Sequence, residues 1–133
     1  MDLTIGELAQ RSGYAVQTLR YYEQIALMPK PPRTSGGQRR YGEDLQRRLM
    51  FIRHARDLGF EIEDIRSLLD LAGQPDQPCA SVDAIAKAHL ISIDEKIARL
   101  TALRVEIESM LKACAPGRIA ECKVMDVLAR DSE

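Results

Sequence analysis

Three cysteines carry the chemistry that stands out in this 133-residue chain: Cys79, Cys114 and Cys122. Thiolates are soft donors, suited to zinc, cadmium, mercury, lead or monovalent copper. Cys79 precedes a long helical stretch, Cys114 follows it, and Cys122 lies beyond a segment that contains Pro116 and Gly117 and can curl into a binding loop. Within one subunit the helix holds Cys79 away from the other two. Antiparallel pairing of two copies would instead set the start of one helix beside the end of its partner, and so build a three-thiol site between subunits. Cysteines also serve as small buried apolar residues, but placement at helix ends and in a Pro/Gly loop favours a metal. No nucleophile triad or pair of catalytic carboxylates is recognisable, so the chain does not read as an enzyme.

The second group is basic. Residues 1–56 hold 10 of the 19 Lys and Arg but only 5 of the 20 Asp and Glu, so a net charge of −1 conceals a basic front and an acidic back. A basic front suits a polyanion partner. Gln17, Thr18, Arg20, Tyr21 and Tyr22 occupy the polar face expected for a short helix, with Val16 and Leu19 turned inward. Such a face has groups able to meet base edges or phosphates. Arg33, Arg39 and Arg40 flank a turn through Ser35, Gly36 and Gly37. A small β-hairpin wing there would hold the guanidinium groups beside a duplex backbone.

The elements that must position these groups follow from local signals. Thr4 with Glu7 three residues later forms a capping box at the start of a first helix, and Gly13 ends it. A second helix begins near Ala15 or Val16, which gives the helix-turn-helix pattern. Apolar stripes predict helices over 42–58 (Leu45, Leu49, Ile52, Ala55) and 61–71 (Ile62, Ile65, Leu68, Leu69). Gly73, Pro75 and Pro78 mark a linker. From Ser81 to about Ala113, the residues Ala86, His89, Ile93, Lys96, Leu100, Leu103, Ile107 and Met110 recur at alternating spacings of three and four. That is the coiled-coil period, and a helix of about 50 Å at 1.5 Å per residue cannot cover its stripe on a small head. Val124, Val127 and Leu128 predict a short final helix.

The expected fold is mainly α: a winged helix-turn-helix DNA-binding head over residues 1–72, a linker over 73–80, an antiparallel coiled-coil dimerisation helix over 81–113, and an effector-binding loop with a short helix over 114–133. No apolar run approaches the roughly 20 residues that span a bilayer, and the N-terminus lacks a signal-peptide pattern, which predicts a cytoplasmic protein without membrane attachment.

From TIGELAQRSGYAVQTLRYYEQIALMP through RTSGGQRRY and FIRHARDLGFEIEDIRSLL to the C-terminal cysteines, the chain resembles the MerR family of bacterial regulators, in particular its divalent heavy-metal branch. The resemblance implies a homodimer that binds double-stranded promoter DNA, represses or activates there, and distorts the duplex on activation so that RNA polymerase can use the promoter. It matches Arg20 and Tyr21 to the recognition helix, Arg39 and Tyr41 to the wing, and Cys114 and Cys122 to the loop of the metal sensors. Cys79 matches a position that is cysteine in sensors of divalent ions and serine in sensors of monovalent copper. The implied effector is a soft divalent ion, mercury, lead or cadmium ahead of zinc, held by Cys79, Cys114 and Cys122. The candidate DNA-contacting set is Thr4, Gln17, Thr18, Arg20, Tyr21, Arg33, Gly37, Arg39 and Tyr41. The alternatives are a regulator of the same family that senses an oxidant or a small organic compound, and a metal-buffering protein.

Overall fold

A computed structural model describes residues 1–33, 36–37, 39–113 and 117–130. Cys114 and Ser35 therefore lie outside the described residues. The chain divides into two compact units, Met1–Ile85 and Ala86–Glu133.

The first unit opens with α1 (Ile5–Ser12), which carries the expected capping box. The Glu7 amide donates to Thr4 Oγ1 at 3.2 Å, and the Thr4 amide donates to the Glu7 carboxylate at 3.0 Å. Two otherwise orphaned donors are thereby satisfied. Gly13 closes the helix at φ 79°, its amide bonded to the Ala9 carbonyl at 3.0 Å. The left-handed φ favours glycine here, and a side chain would in addition displace the Arg53 guanidinium. Helix α2 (Val16–Gln24) follows at once. Ala26, at φ 60°, then reverses the chain so that the amides of Leu27 and Met28 both reach the Tyr22 carbonyl. Helices α3 (Glu43–Asp57) and α4 (Ile62–Ala72) complete the unit, with acidic residues in both first turns, where the helix dipole favours them.

Leu3, Leu8, Leu19, Tyr22, Leu27, Met28, Tyr41, Leu49, Ile52, Ile65 and Leu69 form the core. Tyr22, expected on the polar face of α2, is one of them: its ring meets Tyr14 edge-on at 5.6 Å, while neighbouring Tyr21 stays half exposed. A tyrosine offers a large apolar body as well as a polar tip, so a polar-face pattern does not distinguish the two.

The expected wing is not formed. Among the described residues there is no β-strand; the arm after α2 makes one isolated bridge, Arg33 to Arg39, and a second bridge ties Tyr41 to Leu3. The physical reason lies in the sequence. Pro29, Pro31 and Pro32 have no amide to give a ladder, and Tyr41 spends its donor and acceptor on Leu3, at 2.8 and 2.9 Å. The fold is all-α, with a bridged arm in place of a winged head.

Helix α5 (Ala80–Ala113) is continuous over 34 residues and contains no buried residue. In the second unit a 3-10 turn (Ile119–Glu121) leads into α6 (Lys123–Leu128). The apolar residues of the α5 stripe stand open: Leu100 is 64% and Leu103 48% exposed. Among the described residues no helix is long and apolar enough to cross a membrane.

Candidate nucleic-acid interface and thiol site

Side chains from three separate segments meet at a cleft of about 240 Å³ lined by Thr4, Ile5, Arg20, Arg33, Gly37 and Arg39. Five of the nine sequence-predicted contacts are thus brought together: Thr4 from the α1 cap, Arg20 from α2, and Arg33, Gly37 and Arg39 from the arm. The Arg33 guanidinium donates to the Gly37 carbonyl at 2.9 Å, which holds the arm closed on itself. The remaining α2 candidates lie outside the cleft lining: Gln17 and Tyr21 are exposed and Thr18 is half-buried.

Tyr41 is placed differently. Its side chain is 1% exposed, and its hydroxyl donates to the Glu23 carboxylate at 2.7 Å. Burial, and then the hydrogen bond to Glu23, raise its phenol well above the ordinary value. Tyr41 also bridges Leu3, and its carbonyl accepts from Gln46 at 2.9 Å. It therefore fastens the end of the arm to α2, α3 and the N-terminus. The turn between α1 and α2 is held in a related way. Ser12 Oγ accepts the Tyr14 amide at 3.2 Å, and the Arg53 guanidinium lies 6.0 Å from the centre of the Tyr14 ring. Burial pushes the Tyr14 phenol up to about 12. At the α1 cap, hydrogen bonds from Thr4, its backbone amide first, hold the Glu7 carboxyl below its usual range.

A second, more polar pocket of about 170 Å³ shares Arg20, Arg33 and Arg39 with the cleft and adds Glu23, Gln24 and Lys30. Sequence reasoning passed over these three. The signal for Lys30 was present, since it is a cation fixed between two prolines in a basic arm.

Two of the three thiols fall among the described residues, one in each unit. Cys79 is exposed and immediately precedes α5; its Sγ lies 3.7 Å from the Asp83 carboxylate. Cys122 is half-buried where the 3-10 turn meets α6. Neither is in a disulfide. Cys114 falls outside the described residues, and among those described no three His, Cys, Asp or Glu side chains converge. The donor chemistry nevertheless fits a soft cation, because Cys79 presents a reduced, accessible thiol with a carboxylate oxygen beside it.

Two short helices at a glycine turn, with a cation-lined cleft beside the second, define a helix-turn-helix DNA-binding protein. Residues 3–72 match the family described as MerR HTH family regulatory protein, and residues 46–110 the one described as MerR, DNA binding. The chain belongs to the MerR family of transcription regulators. The HTH-type transcriptional regulator HmrR of Rhizobium leguminosarum bv. viciae is 38% identical over 127 residues, covering 96% of this chain and 98% of that protein. Heavy metal-dependent transcription regulator 2 of Rhizobium meliloti is 32% identical over 130 residues, covering 98% and 88%. Among solved structures, PbrR691 from Ralstonia metallidurans CH34 in complex with lead(II) superposes with a TM-score of 0.80 at 35% identity, covering 96% of this chain and 99% of that one.

Proposed function

We propose that this protein is a cytoplasmic, metal-responsive regulator that binds promoter DNA as a homodimer and activates transcription when a soft divalent ion binds its thiolates. The observation that carries the reading is the exposed, reduced Cys79 thiol at the head of a 34-residue helix whose apolar stripe is uncovered. An antiparallel partner would cover that stripe and bring Cys79 of one subunit toward Cys114 and Cys122 of the other. The naming of a full-length relative as heavy metal-dependent, and the lead(II) complex of a similar structure, support the same class of effector. When bound, the ion would cross-link thiolates of two subunits and release their protons. Three thiolates suit lead, mercury or cadmium, with zinc next.

On DNA, Arg20, Arg33 and Arg39 take backbone phosphates, while Gln17, Thr18 and Tyr21 present the open face of α2 to base edges or phosphates. Thr4 and Gly37 form the cleft wall through which the backbone approaches. Tyr41 serves by holding the arm in place through Glu23. A change in the paired helices passes to two heads on one duplex, and the duplex distorts to suit RNA polymerase.

A mixing experiment tests the intersubunit site. Cys79→Ser and Cys122→Ser homodimers should each lose three-thiolate lead(II) absorption. Heterodimers of the two variants should regain one site per dimer, because one pairing unites an intact Cys79 with an intact loop. No recovery in isolated heterodimers would refute a site shared between subunits.

A further inference from the structure

The polar pocket holds four cations, Arg20, Lys30, Arg33 and Arg39, against one carboxylate, Glu23. Among the described residues none of the four forms an ion pair. The one carboxylate accepts the Tyr41 hydroxyl at 2.7 Å and keeps its charge, so the lining retains an excess of positive charge. Three of the cations, Arg20, Arg33 and Arg39, line the cleft as well. Lys30 lines the polar pocket and not the cleft, and is flanked by Pro29 and Pro31. Proline fixes φ, so this exposed lysine projects from a stiffer backbone than most surface lysines.

Four cations against a single carboxylate leave a small polar space with excess positive charge, and an anion with several oxygens relieves that repulsion. We propose that the pocket is a seat for a phosphodiester of the DNA backbone and that Lys30 contacts this phosphate in each subunit. The inference rests on the reading of Arg20, Arg33 and Arg39 as backbone contacts, and it adds Lys30 as a further phosphate contact per head.

The test is the salt dependence of duplex binding by the full-length dimer. The probe is a duplex selected by the wild-type protein from a random-sequence library, titrated over a range of potassium chloride. Each lost phosphate contact lowers the slope of log affinity against log salt by about 0.9, so Lys30→Gln, present twice per dimer, should lower it by about 1.8. Lys30→Arg should restore the slope. Lys87→Gln on α5 serves as the matched charge control and should leave it unchanged. An unchanged slope for Lys30→Gln, with Arg39→Gln still weakening and flattening the titration, would overturn this proposal alone. If neither variant altered the slope, the reading of the arm as a backbone contact would fall with it. Replacing chloride by inorganic phosphate at fixed ionic strength should leave the difference between wild type and Lys30→Gln intact. Loss of that difference would assign the pocket to free phosphate and overturn the seat for DNA.

Discussion

The two units treat apolar and charged side chains in opposite ways. In the first, Leu27, Leu49, Ile52 and Ile65 are fully covered while arginines crowd an open cleft. In the second, Leu100, Leu103, Ile107 and Leu111 are each about half exposed or more, and Arg104 is satisfied locally by Glu108 at 3.1 Å. The head carries its own core and spends its surface on a polyanion. The long helix spends its surface on another protein chain, since helices alone gain little stability without a packed face. A regulator built this way separates the energetics of folding a head from those of pairing two heads.

Substitutions in each unit should therefore fail by different routes. Leu103→Asp should give the largest effect: a dimer would bury two unpaired carboxylates, costing about 4 kcal/mol, or roughly a thousandfold in the dimer dissociation constant. Sedimentation equilibrium reads that change directly. A single head should keep its stability, because its core is built from residues of the first unit. Tyr41→Phe is the smaller and opposite case. Loss of a hydrogen bond to the Glu23 carboxylate should cost about 1.5 kcal/mol of head stability by denaturant titration. Dimer dissociation should not move. If Leu103→Asp lowered head stability as much as Tyr41→Phe does, the two-unit account would be wrong.

Much of this architecture was legible because its signals are local. The Thr4–Glu7 capping box, the left-handed Gly13 and the three-four stripe of α5 each depend on residues within a turn or two, and each has its structural counterpart. What escaped depends on contacts distant in sequence. The arm between Pro29 and Tyr41 has the arginines and glycines of a hairpin, yet Tyr41 pairs with Leu3, 38 positions away, and no strand forms among the described residues. Tyr22 turns into the core and Tyr21 does not, a choice made by Tyr14 and the packed helices rather than by residue type. Lys30 was visible as a cation between two prolines, but that it shares a pocket with Arg20 of α2 was not. The thiol candidates were evident as residue types, but the proposed site would need a second chain to assemble, and Cys114 lies outside the described residues.

The central proposal, that binding of a soft ion by the thiolates controls what the heads do on DNA, is tested most directly by transcription in vitro from the regulator's own promoter under buffered lead(II). The account predicts that wild-type protein occupies the promoter throughout and activates it as free lead rises, whereas Cys79→Ser occupies the promoter and does not activate. Equal activation by the variant, or tight lead binding by the wild type with no change in transcription, would contradict it.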